Sequence, residues 1–577
     1  MDKHAIALAL EEIATLLRLQ GESNRFRARA FATAARAIEK LDVDPQDLLE
    51  NDRLEKVSGL GPATARTVRE LIETGSSRYL EELRTRVPSG MRDLLAVPGL
   101  GPMKVETLHQ QLGINTLDEL EAAARAGQVA RVRGFGERLQ ERILQGIAFV
   151  RSASGRRRYA QAMLTAQRLL AFLRAQPGIE RAELAGELRR GLETVDGTDF
   201  VVSGRPETCE AVLEAFLGVA PPSMAKRAGD RAETMLADGL RMRVRCVPDE
   251  QFVTALLFAT GSDRHVEALR ARAERMQLKL APDGLHARGG RVQARDEEDV
   301  YAALELAWVP PELREDEESL TLAALDALPS LVTWDDLQGC FHCHTVYSDG
   351  RATVADMAEA AIERGWTYLG IADHSQNAGY AGGLRAQDLR RQRAEIDAWN
   401  SRNASRLRLF AGVEADILAD GRIDLADEPG VLDSLDFVIG SVHSSFRMSR
   451  EDMTKRLLRA LDEPRLTMLG HPTGRLLLGR AGYEFDMDAV LERAGERGVI
   501  VEINSDPHRM DLGWQHWPAA KARGVLAAIN PDAHSTEQLD YVHYGIVMAR
   551  KGGLEPADVL NTRTLEDVQQ TLLRRKA

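Results

Sequence analysis

The chain has 577 residues, of which 44% are hydrophobic and 28% are charged. This composition is too apolar for a disordered chain, and at roughly 150 residues a domain it predicts about four globular domains. No run approaches the roughly 18 apolar residues of a membrane span, and four cysteines are too few for a disulfide framework at this length, so we expect a cytoplasmic protein without membrane contact.

The net charge is distributed unevenly. The chain carries 75 basic and 88 acidic side chains, and residues 311–577 alone carry 30 and 43, so the whole excess of −13 lies in that part. Nine of the thirteen histidines also lie beyond residue 340. Enrichment in acids and histidines indicates where to look for a metal site, and a polyanion could bind there only if cations neutralise some of the carboxylates.

Short amphipathic helices joined by glycine turns are predicted for residues 1–150. An apolar-x-Gly-apolar-Gly pattern occurs three times, each time before a helix, and its glycines are Gly59, Gly61, Gly99, Gly101, Gly134 and Gly136. Paired glycines allow a tight turn that points amides of the helix N-terminus at a phosphate. The pattern indicates helix-hairpin-helix elements that bind the nucleic-acid backbone, with glycine-capped turns between packed helices as the alternative. Arg25 and Arg27 are further candidate phosphate contacts, with a solvated helix face as their alternative.

Strands first appear in the middle of the chain. Residues 151–158 read as a junction, and strand-like runs follow at 200–202 and 242–247. The acidic run at 312–318 predicts a solvated linker. Beyond Gly339, short apolar strands alternate with helices, which indicates an α/β domain with a parallel sheet.

Seven strand-like runs of this last region lead to a residue of metal-binding type. Parallel strands in a barrel bring such ends to one face, where catalytic groups normally lie. The candidate ligands are His342, His344, Asp349, His374, Glu414, His443, His471, Asp532 and His534. Nine ligands suit two or three ions, and mixed imidazole and carboxylate ligands favour Mn, Zn or Fe. Clustered ions are suited to cleaving phosphate esters.

Two of the four cysteines are predicted to be core residues. Cys340 and Cys343 form a C-x-x-C pair without a second pair, so we expect buried core residues rather than a zinc or redox site. Cys209 and Cys246 are far apart in the chain and are expected to be unpaired.

Motifs in the last region resemble a known family. The residues His342-Cys-His344, Ser348-Asp349-Gly350, Asp373-His374, Gly412-Val-Glu414 and Asp532-Ala-His534 are similar to those of the polymerase-and-histidinol-phosphatase (PHP) domain. The segments Gly470 to Arg475 and Glu502-Ile-Asn504, with Arg509 and Asp511, resemble the PHP domain fused to bacterial family X DNA polymerases.

This resemblance implies a trinuclear centre in a distorted seven-stranded barrel. It implies that His342, His344, Glu414 and Asp532 hold one ion, that Glu414, His443 and His471 hold a second, and that Asp349, His374 and His534 hold a third. In that family the domain is a Mn-dependent 3′-5′ exonuclease, and some members also nick abasic sites. Arg475, Arg509 and Asn504 are candidates for orienting the scissile phosphate.

The middle region resembles the palm and thumb of the same polymerases, with its catalytic residues changed. Arg190 falls in the nucleotide-binding turn, and Gly261 and Ser262 fall in the thumb signature. Of the three carboxylates that nucleotidyl transfer requires, the first position holds Gly197, the second holds Asp199 and the third holds Arg243. Arg190, Asp199, Gly261 and Ser262 are therefore interpreted as a vestigial polymerase site.

Two further departures from the family concern phosphate binding and lyase chemistry. Glu187 replaces the phosphate-binding serine of the nucleotide turn. The family's Schiff-base lysine would fall near Thr67, beside Arg66 and Arg69, and arginine cannot act as a nucleophile.

The predicted fold is multidomain, with an all-α helix-hairpin-helix N-terminal region, an α+β polymerase-like palm and thumb of the nucleotidyltransferase type, and an α/β distorted (β/α)7 PHP barrel. The predicted domains are a helix-hairpin-helix DNA-binding (8 kDa-like) domain at 1–82, a fingers-like helix-hairpin-helix subdomain at 83–150, a palm at 151–246, a thumb at 247–311, a linker at 312–338 and the PHP domain at 339–577.

The predicted function is DNA repair, mainly through a Mn-dependent 3′-5′ exonuclease activity. The barrel is expected to hold two or three Mn²⁺ ions, or Zn²⁺. The palm is expected to hold Mg²⁺ only if it is active. The expected partner is gapped, nicked or 3′-ended duplex DNA, and we expect a nucleoid-associated monomer. The alternatives are an active gap-filling polymerase with the exonuclease as editor, a DNA-end-binding module with structural metals, and a phosphatase of small metabolites.

Overall fold

The computed structural model describes residues 3–39, 41, 45–50, 53–219, 224–236 and 239–576. Contacts divide the chain into two compact units, Met1–Ser154 and Gly155–Ala577. None of the described helices combines the length and apolar character that crossing a bilayer requires.

The first unit is entirely helical in its described residues. Leu60, Leu100 and Phe135, the apolar residues between the paired glycines, are buried in one core with Leu10 and Ile13 of the first helix. Two of the turns lead into helices that begin with proline, a residue suited to the first helical position because its missing N–H has no partner there. The helices are α1 (Lys3–Leu19), α2 (Arg25–Glu39), α3 (Pro45–Glu50), α4 (Pro62–Thr74), α5 (Arg78–Arg86), α6 (Ser89–Leu95), α7 (Pro102–Leu112), α8 (Leu117–Arg125), α9 (Gln128–Arg131) and α10 (Gly136–Ala153).

The second unit begins with a five-stranded palm sheet in the order β2-β4-β7-β6-β5, in which only the β4–β7 pair is parallel. Along β7, arginines alternate with buried apolar residues, as expected for a strand with one face against the core. The palm elements are β1 (Arg157–Arg158), α11 (Tyr159–Arg174), β2 (Ile179–Ala185), α12 (Gly186–Arg189), β3 (Thr194–Val195), β4 (Gly197–Gly204), α13 (Pro206–Leu217), β5 (Lys226–Ala228), β6 (Arg231–Met235) and β7 (Arg241–Val247).

A smaller helical part with a three-stranded sheet follows the palm. A fully buried salt bridge between Arg314 and Glu297 (2.7 Å) stabilises it, and Arg189 of the palm binds the same carboxylate at 2.8 Å. Its elements are α14 (Phe252–Thr260), α15 (Asp263–Arg275), β8 (Lys279–Ala281), β9 (Gly284–Ala287), β10 (Gly290–Val292), α16 (Glu297–Ala303) and α17 (Glu318–Ala324).

The acidic run is only partly solvated, so the prediction of a solvated linker is wrong for two of its residues. Glu312 pairs with Arg550 at 2.6 Å and Glu315 pairs with Lys551 at 2.5 Å, and both cations come from the barrel. These partners lie more than 230 residues further along the chain, so a local count of charges could not reveal them.

Seven parallel strands in sequence order form the barrel. Cys343 makes a parallel bridge to Ala533, just beyond the last strand, and so nearly closes the sheet. Every strand is buried on both faces, as expected for a parallel sheet covered by helices. The elements are β11 (Gly339–Cys343), α18 (Val354–Glu363), β12 (Tyr368–Ile371), α19 (Ala386–Asn403), β13 (Arg408–Asp416), β14 (Phe437–Ser441), α20 (Arg450–Leu461), β15 (Met468–Leu469), α21 (Met487–Arg497), β16 (Ile500–Asn504), α22 (Trp517–Ala522), β17 (Ala527–Asn530), α23 (Val542–Lys551) and α24 (Leu565–Lys576).

The prediction for two of the cysteines is wrong. Cys209 on α13 and Cys246 on β7 form a disulfide, with Cα atoms 5.4 Å apart. The helix packs across the strand and brings together residues that are 37 positions apart. Cys340 and Cys343 are free and fully buried, in agreement with a core role.

Candidate metal centre

The nine candidate ligands lie together at the carboxyl ends of the barrel strands. Glu414 is at the centre of the group and is 1% exposed. One of its oxygens, Oε1, lies 2.9 Å from Nε2 of His471, 3.2 Å from Nε2 of His443 and 3.3 Å from Nε2 of His342. The other, Oε2, lies 2.8 Å from Nδ1 of His374. A single carboxylate thus contacts imidazoles from four different strand ends.

Asp532 and His344 form a second part of the cluster. The Oδ1 atom of Asp532 lies 3.1 Å from Nε2 of His344 and 3.5 Å from Nε2 of His342. Because residues that are two apart in a strand face the same side, the two histidines of β11 and its end can share one carboxylate. Both imidazoles are fully buried.

Asp349 forms a third part, nearer to solvent. Its carboxylate lies 3.3 Å from Nε2 of His534, 3.7 Å from Nε2 of His374 and 3.9 Å from Nδ1 of His344. Asp349 and His534 have about a third of their side chains exposed, so the centre opens to solvent on this side.

Three groups of these residues have donor atoms close enough to bind an ion. They are His342, His344 and Glu414; His374, Glu414 and His443; and His344, Asp349, His374 and His534. His344 and His374 each belong to two groups, so this partition differs from the one that the family resemblance implies.

The donor chemistry of the cluster fits divalent cations. Among the described residues, Nε2 of His342 and Nδ1 of His344 are buried without a hydrogen-bond partner. Nδ1 of His374 and Oε2 of Glu414 are close together but are not aligned as a hydrogen bond. Buried polar atoms without partners are costly, and ligation of a cation is one way to satisfy them.

The electrostatics of the cluster couple the histidines to the carboxylates. Although burial opposes it, Glu414 and Asp416 raise the pKa of His443 to about 10. Asp349 and Asp532 likewise overcome burial and raise the pKa of His534 to about 9. Against the effect of burial, His443 and His342 hold the pKa of Glu414 well below its usual range. The carboxylates of the cluster therefore favour positive charge beside them, as divalent cations would supply.

Two carboxylates orient ligand histidines from behind. Glu502 accepts a hydrogen bond from Nδ1 of His342 at 2.5 Å, and Asp416 lies 2.7 Å from Nδ1 of His443. Such partners fix the ring orientation of metal-binding histidines. Sequence reasoning assigned no role to Asp416, although its position two residues after Glu414 on one strand placed it on the same face.

The backbone is strained at three candidate ligands. His342, His471 and Asp532 have positive φ angles of 58°, 23° and 53°. Side chains other than glycine adopt such angles at a cost, and this strain is concentrated at functional sites.

Of the three predicted phosphate contacts, only Arg509 faces the cluster with a cationic group. Its Nε lies 3.6 Å from Oδ2 of Asp532. Asn504 is fully buried and donates hydrogen bonds to Glu502 and Asp532, so it supports the ligands from behind. Arg475 is directed away from the cluster, because its guanidinium pairs with Glu193 of the palm at 3.0 Å.

An aromatic side chain that sequence reasoning missed lies at the rim of the centre. Tyr380 is 75% exposed, and its ring centroid lies 6.1 Å from that of His374 and 6.5 Å from that of His443. The only available signal was its place in the loop after the strand that carries His374.

Arg243 occupies the carboxylates of the palm. Its Nε lies 2.5 Å from Oδ1 of Asp199, and its Nη2 lies 2.9 Å from both Oδ2 of Asp199 and Oδ1 of Asp196. Asp199 and Arg243 are register partners on β4 and β7, so the pairing follows directly from the sheet. The three side chains line a cleft of about 820 Å³.

The position of the missing carboxylate is closed by the backbone. A Cβ at Gly197 would lie 2.6 Å from the carbonyl oxygen of Arg241 on the neighbouring strand. Glu187 accepts hydrogen bonds from Arg156 and from the backbone N–H of Asp196, so its carboxylate has a structural role here.

The remaining residues of the predicted vestigial site lie beside the palm cleft. Arg190 pairs with Glu315 at 3.0 Å and donates to the carbonyl of Thr260, next to Gly261. The Ser262 hydroxyl donates to the backbone carbonyl of Glu315 at 2.7 Å. Arg190, Gly261 and Ser262 all line a second cleft of about 660 Å³.

In the helical unit, the predicted backbone-binding glycines are exposed. They are Gly59, Gly61, Gly99, Gly101, Gly134 and Gly136, and a Cβ at Gly61, Gly101, Gly134 or Gly136 would meet no atom within 4 Å. Each turn therefore leaves open space on its surface, although the N–H of Gly61 already donates to Oγ1 of Thr64 at 2.9 Å.

The arginines at the start of α2 flank an exposed aromatic residue. Arg25 and Arg27 are exposed, Arg27 donates to the Tyr79 hydroxyl at 2.6 Å, and Phe26 between them is 86% exposed.

Thr67, near which the family's Schiff-base lysine would fall, is buried on α4 and donates to the carbonyl of Ala63.

Family comparisons match four separate parts of the chain. A helix-hairpin-helix domain matches residues 1–77, and a SAM-like helix-hairpin-helix tandem matches residues 91–148. The DNA polymerase beta thumb matches residues 255–315, and the PHP domain matches residues 341–506.

Some curated relatives match the whole chain and others match less than half of it. The DNA polymerase/3'-5' exonuclease PolX of Bacillus subtilis is 35% identical over 100% of both chains. A probable phosphatase of Caldanaerobacter subterraneus is 29% identical over 40% of this chain and 89% of its own length. A probable phosphatase of Caldicellulosiruptor saccharolyticus is 32% identical over 33% of this chain and 78% of its own length.

Proposed function

The chain belongs to the family X DNA polymerases that carry a PHP domain, and on this premise we propose that it acts on DNA mainly as a metal-dependent 3′-5′ exonuclease. The observation that supports this most strongly is the contrast between two sites. Seven of the nine candidate ligands fall into groups whose donor atoms are close enough to bind an ion, whereas Arg243 holds the carboxylates of the palm in ion pairs.

The barrel cluster would hold two or three Mn²⁺ ions, with Zn²⁺ as the alternative, through the nine side chains described above. When bound, such ions activate water and neutralise charge on a phosphodiester. Glu414 would be shared between ions, because it contacts both the His342 group and the His443 group. Glu502 and Asp416 would hold the imidazoles of His342 and His443 in a fixed orientation.

Two side chains are placed to bind the end of a DNA strand. Arg509 is charged, faces the cluster and is partly open to solvent, so it would bind the oxygens of the scissile phosphate. Tyr380 offers an exposed ring at the rim, on which the terminal base would stack, an interaction that tolerates any base.

The rest of the chain would hold DNA. The three glycine turns would bind the backbone of gapped, nicked or 3′-ended duplex, with Arg25 and Arg27 as further contacts. The palm would help to hold the DNA but would not catalyse nucleotide addition. Two carboxylates that already bind one guanidinium are poorly suited to bind Mg²⁺, and a third carboxylate is missing.

A 5′-labelled primer on a gapped template tests this proposal. With Mn²⁺, we expect the primer to shorten both with and without deoxynucleotides, and we expect His344→Ala and Glu414→Ala to abolish the shortening. His286→Ala, which changes a histidine outside the barrel, should leave it unchanged. Lengthening that depends on nucleotides and is lost in Asp199→Ala would contradict the impaired palm.

The second candidate function is a gap-filling polymerase with the barrel as editor. It is favoured by the similar protein of Bacillus subtilis, whose name includes both activities. The relatives called probable phosphatases match 40% and 33% of this chain, so a small phosphate monoester should be tested as a third substrate. Retention of DNA without cleavage in Mn²⁺ would instead favour a DNA-end-binding module with structural metals.

A further inference from the structure

The palm and the barrel share a salt bridge next to the metal centre. Glu193 of the palm pairs with Arg475 of the barrel at 3.0 Å, and these side chains are 12% and 21% exposed. Glu193 is fixed on its own side as well, because its carbonyl accepts a hydrogen bond from the backbone of Tyr159 at 2.9 Å.

Arg475 connects this pair to the loop that carries Arg509. Its Nε donates to the carbonyl of Arg509 at 3.0 Å, and its Nη2 donates to the carbonyl of Met510. One guanidinium therefore binds Glu193 and two successive carbonyls of the loop. The Arg509 side chain extends from this loop to Asp532.

A second contact fixes the same part of the palm against the barrel. Lys551, whose side chain is fully buried, donates to the carbonyl of Arg190 at 3.0 Å and pairs with Glu315 at 2.5 Å. Its ammonium lies 4.6 Å from the ring centroid of Trp514, which follows the Arg509 loop. Arg475 thus binds both the loop and the palm, and Lys551 binds the palm beside Trp514, just after the loop.

We propose that Glu193 is a positioning residue for the phosphodiesterase centre, acting through Arg475 on Arg509. This inference rests on the proposed exonuclease function. Arg475 has no other carboxylate partner among the described residues, so loss of Glu193 would leave its guanidinium with the carbonyls of Arg509 and Met510 but no longer fixed to the palm. Arg509 would then lose its fixed distance to the phosphate, and small displacements of catalytic groups have large effects on rate.

The test compares Glu193→Ala, Glu193→Gln and Arg475→Ala with wild type on a 3′-labelled single strand in Mn²⁺. We expect both alanine variants to lower kcat by about 10- to 100-fold, with KM for DNA and the affinity for Mn²⁺ changed less than about threefold. Glu193→Gln keeps an acceptor oxygen for Arg475, so it should retain most of the rate. The double variant should be no slower than the slower single variant, because both changes break one interaction.

The matched control is Glu183→Ala, which removes a palm carboxylate paired with Arg174 at 2.9 Å and half exposed. It should cleave at the wild-type rate. A kcat loss in Glu193→Ala that comes with an equal loss of Mn²⁺ affinity, or that Glu183→Ala also shows, would overturn the positioning role. Wild-type rates in both Glu193→Ala and Arg475→Ala would do the same.

His344→Ala separates this inference from the proposed function. If cleavage persists in His344→Ala, the barrel is not the nuclease, and the positioning role is overturned with the proposal on which it rests. If His344→Ala abolishes cleavage and the Glu193 variants remain active, only the positioning role is wrong. Thermal melting of each variant identifies any that fail to fold, and if Glu193→Ala is among them, Arg475→Ala, which breaks the same ion pair from the other side, carries the test.

Discussion

Glu502 offers a way to perturb the metal centre without removing a ligand. It is fully buried and accepts four hydrogen bonds. Their donors are Nδ1 of His342 at 2.5 Å, the backbone N–H of His471 at 2.6 Å, Nδ2 of Asn530 at 3.0 Å and Nδ2 of Asn504 at 3.1 Å. Each carboxylate oxygen accepts two of these bonds, and one donor on each oxygen belongs to a candidate ligand.

Glu502→Gln keeps the shape of the side chain and turns one acceptor oxygen into a donor. In either orientation of the amide, two donors lose their acceptor, and each buried donor without a partner costs about 1–3 kcal/mol. We therefore expect the free energy of unfolding to fall by about 2–6 kcal/mol. Loss of such a supporting partner typically weakens metal binding by about 10- to 100-fold. We expect that loss for Mn²⁺, with a parallel loss of exonuclease rate.

Equilibrium dialysis with Mn²⁺, together with thermal melting, measures both effects. The control is Asn561→Leu, which removes buried hydrogen bonds to Ile529 and Gly339 at the other end of the barrel. It should lower stability and leave Mn²⁺ affinity unchanged. The reasoning is refuted if Glu502→Gln binds Mn²⁺ within threefold of wild type, or if Asn561→Leu weakens binding as much.

Three further predictions follow from other parts of the chain. Arg243→Asp should not produce nucleotide-dependent primer extension in Mg²⁺, because the backbone of Arg241 leaves no room for a carboxylate at Gly197; extension above background would contradict this. Tyr380→Ala should slow removal of a 3′ nucleotide by about 5- to 150-fold, because it loses about 1–3 kcal/mol of stacking on the terminal base. Removal of a 3′ abasic residue, which has no base to stack, should be unchanged. Tyr380→Phe keeps the ring and is the active control. Burial, assisted by Arg314, lowers the pKa of His265 to about 4 from 6.5, so this histidine stays neutral in the fold while the unfolded chain takes up a proton. Its contribution to stability is therefore complete above pH 6.5 and is lost as the pH falls toward 4, with about 2 kcal/mol lost by pH 5. Urea unfolding of wild type and His265→Gln at pH 7.5 and 5 measures this difference, and equal pH dependence in both would refute it.

The clustering of the candidate ligands at one end of the barrel could be predicted because each follows or lies on its own strand. His443 and His471 follow their own strands within two residues, and parallel strands bring such ends to one face without any further information. The family resemblance supplied the rest of the set. The palm substitutions at Gly197 and Arg243 were also visible in the sequence.

What the sequence did not reveal depends on partners far along the chain. Arg475 was expected to face a phosphate, but it binds Glu193, 282 residues away. The bidentate hold of Arg243 on Asp199 depends on the register of two strands 44 residues apart. In each case the residue type was informative, but the direction of the side chain was decided by a tertiary partner, across two domains for Arg475 and within one sheet for Arg243.

The ion pairs of Arg243 give the palm a counter-cation that is part of the chain, whereas the barrel must obtain its cations from solution. If the chain acts as proposed, the binding of DNA by the helical unit and the cleavage of DNA by the barrel would depend differently on the concentration of Mn²⁺. In a cell short of manganese the helical unit would still hold the DNA, while the uncompensated carboxylates of the barrel would repel the 3′ end, and trimming would stop until the ions returned.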